Sequence, residues 1–170
     1  MTFTKAVLAV LMMVVTVGDA QAATTATLTI NVTFTQPTCN IAVPTSYNLG
    51  SLTPGSKEHG DLKITWTCDG DTPIKTALTA GIVTGTKDGD NKVRLMVSNQ
   101  ATGTVLSLRE KKSNSLIKLT GHDEKNYFCN DANAVAGVTR TCTLTPVTEV
   151  SWNGLFGLAS ATLRFEVGYP

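Results

Sequence analysis

The sequence has no surplus of charge of either sign and no long helical pattern. Its 170 residues include 14 basic and 13 acidic ones, which give a formal net charge of +1. Proteins that bind nucleic acid typically carry a basic surplus or a basic stripe, so we predict no nucleic-acid partner. No window of ten or more residues carries apolar residues at helical spacing, which argues against a helical fold.

Apolar segments of membrane length are also missing. The longest apolar run, residues 6–17, has twelve residues, whereas a membrane-spanning helix needs about 20. This run follows Lys5 and precedes Ala20-Gln21-Ala22, which has the small-x-small form of a signal-peptidase site. We therefore predict a signal peptide over residues 1–22 and an exported chain of one domain that starts at Ala23.

Catalytic and metal-binding patterns are absent from the sequence. No two cysteines have the Cys-x-x-Cys spacing, and His59 and His122 are isolated, so we do not expect a zinc site. Residues 121–124, GHDE, offer a histidine and carboxylates, but adjacent residues on a turn rarely converge on one substrate or metal. We predict a protein that is not an enzyme and has no cofactor.

Cysteines are few, and all of them lie in the exported part of the chain. They are Cys39, Cys68, Cys129 and Cys142. Disulfides persist in an oxidising compartment, and four cysteines allow three pairings. Sequence order favours Cys39 with Cys68 and Cys129 with Cys142, because each pair then joins neighbouring segments.

What the sequence does contain is β pattern throughout. Apolar residues alternate in DLKITWTC, KVRLMV, TVLSL, SLIKL and TCTLTPV, and turn signals such as DGDN and ATG separate these segments. Many short strands with turns between them are typical of a sandwich or a barrel. Trp66 shares a strand face with Cys68, so we expect it in the core, whereas Trp152, Leu155 and Phe156 fit either the core or the rim of a groove.

Both ends of the exported chain carry a strand that lacks an obvious partner. Residues 23–34, here called the N-terminal ribbon, have apolar side chains at every second position: Ala26, Leu28, Ile30, Val32 and Phe34. The last residues also form one apolar row: Ala159, Ala161, Leu163, Phe165, Val167 and Tyr169. An unpaired strand edge invites pairing with another chain.

With these features the sequence resembles the pilin subunits of chaperone–usher fimbriae of Gram-negative bacteria. The resemblance rests on PTC at the first cysteine, YNLGSL after it, and DLKITWTC at the second cysteine. At the C-terminus, Gly157 is fourteenth from the end and Tyr169 is penultimate, as in the strand that the family's chaperone recognises. The middle of the chain matches only as generic β structure, and the second cysteine pair departs from the family pattern.

The resemblance implies an all-β, incomplete immunoglobulin-like sandwich that lacks its seventh strand. A groove would run along the terminal strand, from Gly157 to Tyr169, and a periplasmic chaperone would fill it before a neighbouring subunit does. Residues 23–31 would be the donor strand, with Ala26, Leu28 and Ile30 in the neighbour's groove, and residues 32–170 would form the pilin domain. The further partners implied are an outer-membrane usher and other pilin subunits, in a fimbrium on the cell surface.

The function that we predict is a structural or minor adaptor subunit of an adhesive fimbria. Two alternatives remain open, one for the N-terminal ribbon and one for the function. The N-terminal ribbon could be an ordinary first strand that completes its own sandwich. The alternative function is a single-domain tip subunit whose region between Cys129 and Cys142 binds a host glycan or protein receptor.

The alternation of the ribbon gives a test of its register. In peptides of residues 23–34, Leu28→Asp or Ile30→Asp would place a carboxylate in an apolar slot, and the desolvation cost should slow or abolish insertion. Thr29→Asp faces the other side of the strand and should insert almost normally. Native gels of peptide complexes measure insertion. If only the Thr29 variant fails, the register is wrong by one residue, and if all three insert equally, the ribbon is not a donor strand.

Overall fold

The structure, a computed structural model, describes residues 29–32, 38–70, 73–132 and 137–170. The chain divides into two compact units, residues 1–34 and 35–170. The predicted signal peptide and the ribbon residues Ala26, Leu28 and Phe34 lie outside the described residues. Ile30 and Val32 are described, exposed, and not part of a strand.

The regular secondary structure in the described part of the second unit is almost entirely β-strand. They are β1 (Cys39–Ala42), β2 (Gly55–Glu58), β3 (Leu62–Cys68), β4 (Thr76–Thr84), β5 (Thr86–Lys87), β6 (Lys92–Val97), β7 (Gln100–Glu110), β8 (Phe128–Asp131), β9 (Arg140–Val150) and β10 (Thr162–Gly168). One 3₁₀ helix, Glu124–Asn126, precedes β8. The prediction of an all-β fold is confirmed.

The strands form two antiparallel sheets. The first sheet has the order β1-β3-β9-β7-β6-β5, and β2 pairs with β9 as well. The second sheet has three strands in the order β10-β4-β8. Every strand pair among the described residues is antiparallel.

The core consists of apolar side chains from both sheets. Along β3 the burial alternates, so that Ile64 and Trp66 are buried while Lys63 is exposed. Leu78 of β4 belongs to the same buried cluster, as does Leu144 of β9. Each aliphatic side chain that is fully buried contributes about 1.5–3 kcal/mol, so this shared cluster is the main attraction between the sheets.

The two disulfides have different structural roles. Cys39–Cys68 joins β1 and β3 within the first sheet, and Cys129–Cys142 joins β8 of the second sheet to β9 of the first. This is the pairing that sequence order favours. In the chain-entropy model, closing loops of this length stabilises the fold by about 3–4 kcal/mol each.

A buried hydrogen bond also connects the sheets, and it gives a test of the core. The indole Nε1 of Trp66 donates to Thr76 Oγ1 at 3.0 Å, and both residues are buried. Thr76→Val would leave the indole N–H without an acceptor and should lower the free energy of unfolding by about 1–3 kcal/mol. Thr67→Val is the matched control, because the Thr67 hydroxyl bonds to Thr139 in an exposed pair, and its cost should stay within about 0.5 kcal/mol. Urea unfolding measures both variants, and equal costs would contradict the assigned role of the bond.

Candidate strand-accepting groove

Strand β10 lies at the edge of the three-stranded sheet. One side of β10 pairs with β4, from Thr162 opposite Thr84 to Gly168 opposite Ala77. The other side has no partner strand within the described ranges. Its free N–H and C=O groups can therefore form a further ladder with an incoming strand.

A groove of about 940 Å³ lies beside this free edge. Its apolar walls come from three parts of the chain: Leu163 and Phe165 of β10, Leu95, Leu106 and Leu108 of the first sheet, and Val43, Leu49 and Leu52 of the segment after β1. Two of these residues, Leu95 and Leu108, are buried members of the core. The groove therefore reaches the core, because a sandwich that lacks one strand leaves part of its core uncovered.

The predicted terminal row divides into two parts. Its first four members, Ala159, Ala161, Leu163 and Phe165, line the groove, and so does Gly157 before them. Val167 packs against the core cluster without lining the groove, and Tyr169 reaches Cys39, with its hydroxyl 3.2 Å from the Cys39 Sγ atom. Burial raises the pKa of Tyr169 above its usual value. The end of β10 is thus held against β1, while its beginning borders the open groove.

The start of the predicted row is not a strand of the second sheet. Strand β10 begins only at Thr162, because Ser160 pairs with Met96 of β6 through two backbone hydrogen bonds of 2.9 and 3.0 Å. Gly157 has a φ of 145°, a conformation that glycine adopts without steric cost. The chain therefore passes beside the first sheet before it enters the second.

The loop of residues 152–158 exposes large apolar side chains at one end of the groove. Trp152 is 79% exposed, Leu155 51%, Phe156 82% and Leu158 96%. The last three also line the groove, whereas Trp152 does not. Leu155 and Phe156 therefore lie at the rim of the groove, whereas Trp152 lies neither in the core nor in the groove lining. Trp66 lies in the core as predicted, 2% exposed.

A second, polar cleft of about 530 Å³ lies beside Cys129. Two of its cations have anionic neighbours: Lys111 Nζ lies 2.6 Å from Asp61, and Arg140 Nε lies 3.0 Å from Asp131. These pairs reduce the charge that the cleft can offer to a ligand. Several of its lining residues, among them Asn130 and Thr139, belong to the region between Cys129 and Cys142.

Patterns of metal binding and of membrane spanning do not occur in the described part. No group of three or more His, Cys, Asp and Glu residues there could hold a metal ion. In the GHDE segment, Asp123 accepts a hydrogen bond from Lys125 N at 2.8 Å and caps the 3₁₀ helix. Among the described residues no helix is long and apolar enough to cross a membrane.

The open sandwich has the fold of chaperone–usher pilus rod subunits. One similar solved structure is that of a chaperone–usher pilus, determined to explain the uncoiling of its rod. It has 18% sequence identity and a TM-score of 0.56, with 87% of this chain and 97% of that chain covered. Another is the P pilus rod subunit PapA, with 18% identity, a TM-score of 0.55, and 78% and 99% of the two chains covered. No protein-family model and no curated protein sequence matches this chain.

The sequence predicted the wall of the groove that β10 forms, but not the walls formed by the first sheet and by the segment after β1. It identified Leu163 and Phe165 from their alternation next to the C-terminus. It did not identify Leu95, Leu106 and Leu108, because alternation marks a strand face as apolar without saying whether another sheet covers that face. The YNLGSL motif was the only signal for the third wall, since it contains Leu49 and Leu52.

A charge in the groove should destabilise the subunit. Phe165→Asp would place a carboxylate among apolar side chains and should lower the free energy of unfolding by at least about 2 kcal/mol. Arg164→Asp is the matched control, because the Arg164 side chain is 72% exposed and pairs with Glu166 at the surface, and its cost should be below about 1 kcal/mol. Urea unfolding and the yield of folded protein measure the difference. Equal stability of the two variants would contradict the position of Phe165 in the groove.

Proposed function

We propose that this protein is a structural or minor adaptor subunit of a chaperone–usher fimbria and that it polymerises by donor-strand exchange. The observation that carries this proposal is the apolar groove beside the unpaired edge of β10. The likeness to pilus rod subunits supports it, because those proteins assemble into pili.

The groove favours an extended apolar strand over a small polar ligand. Residues 157–163 and Phe165 line one side of it, and β10 provides a free strand edge from Thr162 onward. The edge of β10 supplies backbone donors and acceptors, and the leucine side chains supply apolar contacts. This combination of main-chain pairing and side-chain pockets is the basis of β-strand addition.

The N-terminal ribbon has the pattern that this groove would accept. Leu28 and Ile30 alternate with polar residues, and burying both side chains would contribute about 3–6 kcal/mol before the cost of ordering the strand. We propose that residues 23–31 insert into a neighbouring subunit. Because the donating strand and the accepting groove are different surfaces, such contacts generate an open fibre and do not close on themselves.

The remaining partners follow from the same mechanism. Before assembly, a periplasmic chaperone would cover the groove, since an exposed core and a free strand edge favour aggregation. An outer-membrane usher would then pass the subunits to the cell surface. The protein would thus act as a polymer building block of the fimbrium, with no enzymatic step of its own.

A deletion separates donating from accepting. Removal of residues 24–31 should leave the groove intact, because residues 43–165 line it. The shortened chain should bind a synthetic peptide of residues 23–34 as the full chain does, and it should stop polymers of the full chain from growing when the two are mixed. Light scattering measures the polymer length. The control replaces residues 24–31 by a Gly/Ser segment of equal length, which should behave as the deletion does.

Two results would contradict the proposal. If the shortened chain polymerises like the full chain, the N-terminal ribbon is not the donor. If neither chain binds the peptide, the groove does not accept this strand.

A further inference from the structure

The loop of residues 152–158 presents more apolar surface than an isolated subunit needs. Four of its seven residues are large apolar side chains that are at least half exposed: Trp152, Leu155, Phe156 and Leu158. Clustered exposure of this kind marks an interaction surface in soluble proteins. Filling the groove would cover part of Leu155, Phe156 and Leu158, but Trp152 lies outside the groove lining and would stay exposed.

The loop is held in place by close packing to β7. A Cβ atom on Gly154 would lie 2.7 Å from Gly103 N and 2.9 Å from Gly103 Cα, which are distances that only glycine permits. Ser151 N also donates to Gly103 O at 3.0 Å. The backbone of the loop is thereby fixed, so Trp152 and Phe156 are displayed on an anchored support on either side of Gly154. Preorganised surfaces of this kind lose little entropy on binding.

The direction of strand insertion determines what lies next to the loop. All described strand pairs of this protein are antiparallel, and antiparallel pairing is slightly the more stable kind. A strand that pairs antiparallel with β10 inside the groove starts near Phe165 and runs past Thr162 towards Gly157. Its continuation therefore leaves the groove beside residues 152–158.

The continuation of a donor strand is short. In this chain Ile30 and Cys39 are nine positions apart, which spans at most about 32 Å even when fully extended. The folded domain of the donating copy therefore begins within about 32 Å of the position of Ile30 in the groove, which is within reach of the loop. Val32, the next apolar residue after Ile30, is 65% exposed in the unassembled chain and would leave the groove on this side.

The charge pattern of the loop fits an apolar contact. No charged residue occurs from Val150 to Leu163, so burying this stretch involves no desolvation of a charge. Exposed aromatic residues such as Trp152 are typical energetic anchors of protein interfaces.

From these observations we propose that the loop of residues 152–158 is a docking surface for a second copy of this chain. The docked part is the folded domain of the copy whose N-terminal strand fills the adjoining groove. This inference rests on the proposed function, and it adds a domain-to-domain contact, anchored by Trp152, to the insertion of the strand.

The test separates strand insertion from domain docking. The full chain is refolded from denaturant either with an excess of a synthetic peptide of residues 23–34 or without it. Uptake of the labelled peptide reports strand insertion, since the peptide has no domain attached. The yield of assemblies of two or more copies, measured by size exclusion with light scattering, reports insertion and docking together.

Trp152→Ser should take up the peptide like the wild-type chain and should assemble about tenfold less well, a loss typical of removing an aromatic anchor. Val138→Ser is the matched control, because Val138 is also exposed, at 52%, and lies at the opposite end of β9 from the loop. It should change neither measurement. A second variant, Asn153→Asp, keeps every apolar side chain and adds a charge to the patch, and it should also reduce assembly.

Each other outcome decides against one of the two proposals. If Trp152→Ser takes up the peptide and assembles like the wild-type chain, the docking surface is wrong and the proposed function stands. The same result is expected if the inserted strand runs parallel to β10 or if a different protein covers the loop. If the wild-type chain takes up no peptide and forms no assemblies, the proposed function itself fails. If Trp152→Ser takes up no peptide, Asn153→Asp decides by the same criteria.

Discussion

The structure depends on one missing set of hydrogen bonds, those along the free edge of β10. The three-stranded sheet ends there, and the first sheet extends beyond it, so that Leu95 and Leu108 of the core form the floor of an open groove. Backbone groups and apolar side chains are unsatisfied at the same place. A strand of alternating pattern satisfies both requirements at once, which is why the groove fits a peptide segment better than a compact ligand.

The two ends of β10 differ in how they are held. Its C-terminal end is fixed, since the Tyr169 hydroxyl contacts Cys39, which the disulfide to Cys68 holds against β3. Its N-terminal end adjoins the uncharged and exposed residues 152–158. The C-terminal end of β10 therefore stabilises the subunit without a partner. In the proposed assembly, the neighbouring copy covers the region at the N-terminal end of β10.

The second disulfide compensates for a weakness of this architecture. A small sheet of three strands has little core to hold it against the larger sheet once one strand is missing. Cys129–Cys142 joins the two sheets covalently, and the bond from Trp66 to Thr76 joins them within the core. Both links are independent of the groove, so the sandwich can stay assembled while the groove is empty or exchanges its strand.

The sequence by itself determined the class of fold and the terminal strand. Alternation of apolar residues is a local property, so β3, β9 and the row from Leu163 to Val167 could be recognised without a structure. The order of the cysteines likewise favoured the disulfides that are present.

Only the tertiary structure decided which apolar faces stay open. Leu95 and Leu108 become a groove floor because the sheet opposite them ends at β10, and Ala159 leaves the strand because Ser160 pairs with Met96 in the other sheet. The close approach of Gly154 to Gly103, which are about fifty positions apart in the chain, is likewise a tertiary contact. Such long-range pairings leave no periodic signal, because they join segments whose separation in sequence is unrelated to their distance in space.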